Sequence, residues 1–345
     1  MKAVVDDKIP FIREAIEQIA DEVVFLPGQQ ISAADVHDAD LLIVRTRTRC
    51  NRTLLQGSRV RFVATATIGF DHIDTAYLKE AGIAWSNCPG CNATSVGQYI
   101  RSCLILLKRE TGMDLRRTTL GIIGAGHVGT AVKKAVEPLG VRILLNDPPR
   151  EANEGRRPDE QTCLHPLDEL QNECDILSFH TPLTTVGPYA TFHLADAAFL
   201  DKLARKPVLI NSGRGEVVDN QALLQALNSG QASRAIIDTW ENEPHISLPL
   251  LEKVYIGTPH IAGYSADGKA NATRMTLQAV CRHFRIERPF SVEPPALPAS
   301  FLPSADPEEL ALQLYNPQDD SRRLKEHPER FEELRGNYPL RRESI

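Results

Sequence analysis

Residues 120–129 read LGIIGAGHVG, and how this stretch is read decides the fold. Four mainly apolar residues run into Gly124-x-Gly126-x-x-Gly129, and the segment HVGTAVKKAVEPLG that follows has helical periodicity. A glycine triplet alone is a weak signal, but between an apolar strand and an amphipathic helix it has the context of a dinucleotide-binding turn. Gly124 permits the tight turn, Gly126 lets backbone approach a pyrophosphate, and Gly129 lets the helix pack on the strand. His127 and Val128 open the helix, whose free amides and dipole favour phosphate. We count all five residues as cofactor-binding candidates.

The next strand, RILLND, ends at Asp147, 23 positions past Gly124. A carboxylate there can accept hydrogen bonds from the adenosine ribose and repel a 2′-phosphate, so NAD is expected rather than NADP.

The same alternation extends in both directions. Upstream, KAVVD, EVVFL, LLIVR, RFVATAT and IAWSN read as strands separated by helical segments, one of them capped by Ser32. Downstream, DILSFH, PVLINS, RAIIDT and VYIGT read as further strands, and a helix spans about 267–285. The expected class is α/β, with two doubly wound parallel-sheet lobes. The chain crosses near residue 94 and returns near residue 264. We therefore expect a substrate-binding domain over 1–93 and 264–288 and a Rossmann NAD-binding domain over 94–263. A Pro-rich linker and C-terminal dimerisation segment should fill 289–345. The tail has apolar Leu310, Leu312, Leu314, Leu324, Phe331 and Leu334 in helical stretches, too few for a core of its own.

Composition narrows the function. Of 345 residues, 42% are hydrophobic and 24% charged, and the net charge of −6 argues against a nucleic-acid or membrane-surface binder. No apolar run reaches the ~18–20 residues of a membrane helix. Seven irregularly spaced cysteines give no disulfide framework, so a cytoplasmic location is expected. Cys88 and Cys91 in NCPGCN have C-x-x-C spacing, but no second pair completes a zinc site. Pro89-Gly90 reads as a turn between strand and helix, and no metal site is expected.

Three further strands end in reactive polar residues. Arg214 follows VLINS, Asp238 ends AIID with Glu243 five positions on, and His260 follows a Thr-Pro turn. Guanidinium, carboxylate and imidazole suit hydride transfer from a 2-hydroxy acid. Arg214 can hold the substrate carboxylate, and His260 can take the hydroxyl proton. Glu243 can fix the imidazole tautomer.

The segments GAGHVG, INSGRGEVVDN, DTWENEP and TPHIAGYS resemble the D-isomer-specific 2-hydroxyacid dehydrogenase family, with VRTRT, ATATIGFDHID, PGCNATSVGQY, NDPPR and FHTPL extending the likeness over residues 44–266. The resemblance implies Arg214, Glu243 and His260 as the catalytic trio. It implies Asp147, Thr181, Asp238 and Gly263 as NAD contacts, together with Ser212, Gly213 and Arg214. It implies Thr46, Thr67 and Tyr264 as substrate contacts, a flavodoxin-like substrate domain, and a homodimer built through the C-terminal region. Thr46 stands where the family commonly has serine and keeps the hydroxyl.

In LLIVRTRTRC, residues 41–50, an apolar strand ends in Arg45, Arg47 and Arg49. The three would share a face if the strand persisted. We expect the strand to stop near Arg45, with Arg45 first and Arg47 second as ligands of a substrate phosphate. The expected partner is thus a small phosphorylated 2-hydroxy acid. A general hydroxyacid reductase acting on glyoxylate, hydroxypyruvate or 3-phosphoglycerate would use the same trio. A non-enzymatic NAD-sensing protein would need only the glycine turn.

Overall fold

A computed structural model describes residues 1–154 and 163–344. The chain divides into two compact units, one of residues 1–92 and 265–298, the other of residues 93–264 and 299–345. The 289–345 stretch, read from sequence as one terminal segment, is thus split between them.

The first unit carries β1 (Lys2–Asp6), β2 (Glu22–Leu26), β3 (Leu41–Val44), β4 (Phe62–Thr65) and β5 (Ala84–Ser86), all parallel, in the order β2-β1-β3-β4-β5. This is the flavodoxin-like order. The central strands β1, β3 and β4 are buried along most of their length, as expected of strands covered on both faces. One face packs on Ile12 and Ile16 of the first helix and on Leu277 and Val280 of the helix Ala266–Phe284. Ser32 caps the helix Ala33–Val36 in a reciprocal box with Asp35.

The second unit carries β6 (Thr119–Ile123), β7 (Arg142–Asn146), β8 (Ile176–Phe179), β9 (Val208–Asn211), β10 (Arg234–Ile237) and β11 (Ile256–Gly257) in the parallel order β11-β10-β9-β8-β6-β7. Order reverses between β6 and β8, which creates the crevice where open α/β sheets bind ligands. The helix Ala93–Thr111 and the helix His127–Val136 cover one face through Ile100, Leu104, Val132 and Val136. The tail forms the helices Pro307–Leu314, Pro317–Glu326 and Phe331–Gly336. Its apolar residues do not build a separate core. Leu324 and Phe331 join the buried cluster beneath β8–β10, and Tyr315 joins the cluster around Tyr99 and Ile256.

Register places the polar residues. Asn146, Ile123, Phe179, Asn211, Ile237 and Gly257 are aligned partners across the carboxyl edge of the second sheet. The candidates of this unit from Gly124 to Tyr264 lie just beyond one of them, in the loop that follows or, for His127, Val128 and Gly129, in the first turn of the helix His127–Val136.

Candidate active site

The glycine turn is built as its spacing requires. Gly124 has φ +95°, and a Cβ there would lie 2.9 Å from the carbonyl of His180 and 3.0 Å from the amide of Thr181. A Cβ on Gly129 would lie 2.0 Å from the Gly124 carbonyl oxygen, so only glycine lets the helix start this close to the turn. Gly126 is the N-cap residue, exposed with His127 at the mouth of the turn, and a Cβ there would meet open space. Val128 is partly buried against the Ile122 cluster.

Asp147 follows β7, as expected. Its Oδ2 accepts from the Ala125 amide at 3.0 Å and its Oδ1 from the Arg150 amide at 3.1 Å. Arg150 in turn donates to the Ala125 carbonyl at 3.0 Å. Strand tip and glycine turn are thereby tied together. A groove of about 1090 Å³ runs from Ala125–His127 past Arg101, Lys134 and Arg150.

Thr181, Ser212 and Gly213 meet behind the turn. A Cβ on Gly213 would lie 3.0 Å from the Thr181 carbonyl oxygen. Ser212 Oγ lies 3.1 Å from Nδ1 of His180, whose Nε2 lies 2.8 Å from Ser178 Oγ. Burial pushes the His180 imidazole down to about 3, so it is neutral and spans two hydroxyls. The Thr181 hydroxyl is buried without a hydrogen-bond partner in the protein. A buried orphan of this kind costs about 1–3 kcal/mol. With the open approach at Gly126 and the cationic groove, it fits an NAD bound at this edge.

The loop after β9 carries Arg214, which is exposed and curls so that Nη1 donates to the Gly213 carbonyl at 2.8 Å. Buried Asn211 shapes that loop: its Nδ2 donates to the Arg214 carbonyl at 2.9 Å and its Oδ1 accepts from the Gly213 amide at 3.2 Å. A Cβ on Gly215 would lie 1.9 Å from the Trp240 carbonyl oxygen, so the Arg214 loop rests directly on the Trp240–Glu243 segment.

Glu243 and His260 form a pair. Nδ1 of His260 lies 2.8 Å from Oε2 and 3.1 Å from Oε1 of Glu243, and Oε1 also accepts from the Trp240 amide at 2.9 Å. Burial works to raise the Glu243 carboxyl, but the hydrogen bond and charge of His260 outweigh it and hold the group below its ordinary range. His260 has φ +57°, an uncommon left-handed conformation for a non-glycine residue. The surroundings hold it there. Its amide donates to the Asp238 carbonyl at 2.8 Å. The Asp238 carboxylate, 1% exposed, accepts from Thr258 Oγ1 at 2.7 Å, the Ile261 amide at 2.7 Å and the Ala262 amide at 3.0 Å. Asp238 thus anchors the histidine loop from its buried position.

Sequence reading missed the matching clamp on the other side. Arg341 is 8% exposed, and its guanidinium donates to the carbonyls of Ile261 at 3.0 Å and Ala262 at 2.6 Å, while its charge stacks 3.9 Å from the centre of the Tyr315 ring. One loop is thus held by a carboxylate on its amides and by a guanidinium on its carbonyls. His180, Asn211 and Trp240 were also missed, although they lie in quoted segments. The indole of Trp240 donates to the Thr258 carbonyl at 2.9 Å. Gly263 and Tyr264 end the loop half-buried, with the Tyr264 ring edge-on to Tyr338 at 6.2 Å.

In the first unit Val44 and Thr65 are register partners, so Thr46 and Thr67 each lie two residues past the same edge. Thr46 is exposed. Thr67 Oγ1 donates to the Gly69 carbonyl at 2.8 Å and lies 2.7 Å from Thr65 Oγ1. The strand ends at Val44, so the arginines do not share a strand face. Arg45, ranked first for a phosphate, is committed elsewhere: its Nε and Nη2 reach Asp6 at 3.1 and 3.2 Å. The Asp6 carboxylate is fully buried at the tip of neighbouring β1, and a buried charge requires a partner. Arg47 is exposed. Cys88 and Cys91 are free, buried and raised by that burial, Cys91 to about 12, in the turn ahead of the helix Ala93–Thr111.

Residues 97–262 match the D-isomer specific 2-hydroxyacid dehydrogenase, NAD binding domain. The chain is 56% identical to an erythronate-4-phosphate dehydrogenase of Bacteroides fragilis over 99% of its own length and 97% of the relative's. It is 55% identical to the enzyme of that name from Bacteroides thetaiotaomicron, with the same coverage. Among solved structures it is similar to a D-lactate dehydrogenase of Aquifex aeolicus in complex with NAD and lactic acid, with TM-score 0.63 and 25% identity over 86% of this chain and all of the other. The chain belongs to the D-isomer specific 2-hydroxyacid dehydrogenase family of NAD-dependent oxidoreductases, among its erythronate-4-phosphate dehydrogenases.

Proposed function

We propose that the chain oxidises 4-phospho-D-erythronate at carbon 2 to (R)-3-hydroxy-2-oxo-4-phosphooxybutanoate, a step of pyridoxine 5′-phosphate synthesis. The observation that carries this reading is the His260–Glu243 pair, held in a strained loop at the same sheet edge as the glycine turn. NAD, when bound, accepts the hydride that leaves carbon 2. Asp147 would hold its adenosine ribose, and the amides of Gly126–Gly129 its pyrophosphate. Thr181, Ser212, Gly213 and Gly263 would line it. Nε2 of His260 faces away from Glu243 and takes the hydroxyl proton. Glu243 keeps the proton of the other nitrogen on Nδ1 and stabilises the imidazolium that forms. Arg214, exposed and hydrogen-bonded through Nη1 to the Gly213 carbonyl, fits the substrate carboxylate.

In the first unit, Thr46 and Thr67 offer hydroxyls, and the 45–49 turn offers Arg47 to the phosphate. Tyr264 is a further substrate contact. An assay following reduced nicotinamide with 4-phosphoerythronate, 3-phosphoglycerate, glycerate, glyoxylate and hydroxypyruvate tests the reading. Preference for 4-phosphoerythronate of tenfold or more supports it, whereas equal rates favour a general reductase. NAD binding without turnover on any of them points to a sensor.

We also propose a cytoplasmic homodimer joined through the C-terminal segment. No described helix is long and apolar enough to cross a membrane, and Leu302 in that segment is 82% exposed. Light scattering on the full chain tests the dimer, and a monomeric mass removes it.

A further inference from the structure

Arg335 lies in the short C-terminal helix Phe331–Gly336, ninety-two residues from Glu243. Its Nη1 nevertheless lies 3.4 Å from Oε2 of Glu243, the oxygen that holds His260 Nδ1 at 2.8 Å. Its side chain is 29% exposed and that of Glu243 16%, so water screens the charge only in part. One carboxylate oxygen therefore serves two cations in turn: a permanent guanidinium, and an imidazolium that exists only when His260 carries a second proton.

We propose that Arg335 is a positioning residue of the reaction. It acts through Glu243, holding that carboxylate ionised and in place, and it opposes the charge that His260 acquires, so that the imidazole gives up its proton more readily. The proposal rests on His260 being the acid/base. Glu243 stabilises the imidazolium that forms, and a permanent cation on the same carboxylate oxygen acts in the opposite sense. Arg335 divides the carboxylate's field and offsets part of that stabilisation. Among the described residues, the charged and titratable groups recorded as acting on the pair or on Arg335 include Asp238 from the loop after β10, Glu332 from the terminal helix and Tyr264 from the histidine's own loop. Asp238 favours the imidazolium. Arg335 carries a permanent positive charge. A chain end distant in sequence thereby reaches the reacting group through one shared oxygen.

The test is the pH profile of kcat/KM for oxidation in Arg335→Gln and Arg335→Lys, each first checked for an unchanged melting curve. Removing the positive charge raises the proton affinity of His260. The acid limb should therefore move to higher pH by about half a unit or more, a loss of about threefold on that limb. Lysine should restore most of it. The alkaline limb of the reverse reaction, which needs the imidazolium, should move in the same direction. NMR titration of the His260 ring gives the same shift without turnover. Limbs and ring titration that coincide with wild type overturn the proposal, whatever happens to the absolute rate. His260→Asn separates the two readings. If it is inactive while Arg335→Gln leaves the limb unmoved, only the role of Arg335 fails. If it turns over normally, the base assignment fails as well.

Discussion

His260 and Glu243, seventeen residues apart, meet at 2.8 Å because the strands that precede their loops are neighbours in register, Ile237 opposite Gly257. The pair is strong because both partners are pinned independently, Glu243 by the Trp240 amide and His260 by the Asp238 carbonyl. Glu243→Gln keeps the shape and removes the charge. It should lower kcat on the order of 10²-fold or more, because the imidazolium loses its counter-charge. Steady-state kinetics beside an unchanged Kd for NAD would check this.

The same pair sets an acid limit on stability. The Glu243 carboxyl is held below its unfolded value, which is about 4.3. Its contribution is therefore complete above that value and is lost as pH falls through the lower folded one. Melting temperature measured from pH 7 to pH 3 should fall less steeply at the acid end in Glu243→Gln than in wild type. Parallel curves would mean that another carboxylate controls the limb.

His260→Asn should abolish most turnover, by a factor on the order of 10²–10⁴, and leave NAD binding intact. Calorimetric titration with NAD should give a Kd within a few-fold of wild type, since the glycine turn and the Thr181–Gly213 contact do not involve residue 260. Normal turnover would remove the imidazole from the reaction.

Asp147→Ala should relax discrimination against NADP by about tenfold or more, equivalent to about 1.4 kcal/mol. It should also loosen the turn, because the Ala125 amide loses its acceptor. Asp147→Asn removes the repulsion of a 2′-phosphate while an amide oxygen can still cap Ala125. Kinetic ratios for NAD and NADP in the two variants separate charge from turn geometry.

Local chemistry in the sequence carried the fold and much of the candidate site. The glycine spacing, the acid after RILLN and the polar ends of apolar strands are short-range signals, and the structure brings them to one edge by strand register. What escaped reading is long-range. Arg341 lies some eighty residues from the carbonyls it holds, and nothing in NYPLRRE marks one arginine as buried. Asp238 and His180 were legible as polar residues at strand ends. Whether such a residue faces a ligand or braces its neighbour depends on which lone pairs the backbone has already taken. The Arg45–Asp6 pair escaped reading for the same reason. Asp6 ends KAVVD with no sign that its carboxylate is fully buried and requires a guanidinium.

Arg45→Ala leaves a buried carboxylate with, among the described residues, the Lys8 amide at 2.9 Å as its donor. It should destabilise the protein by about 3 kcal/mol and depress activity on every substrate alike. Arg47→Ala removes an exposed guanidinium from the same turn and should leave the melting temperature within about a degree of wild type, because exposed charges contribute little to stability. If Arg47 meets the substrate phosphate, a charge-assisted hydrogen bond of about 1.5–3 kcal/mol is lost. KM for 4-phosphoerythronate should then rise roughly 10- to 100-fold, with little change for unphosphorylated erythronate. Melting curves and kinetics on the two substrates read both effects. An equal loss on both substrates in Arg47→Ala would take the phosphate away from this turn.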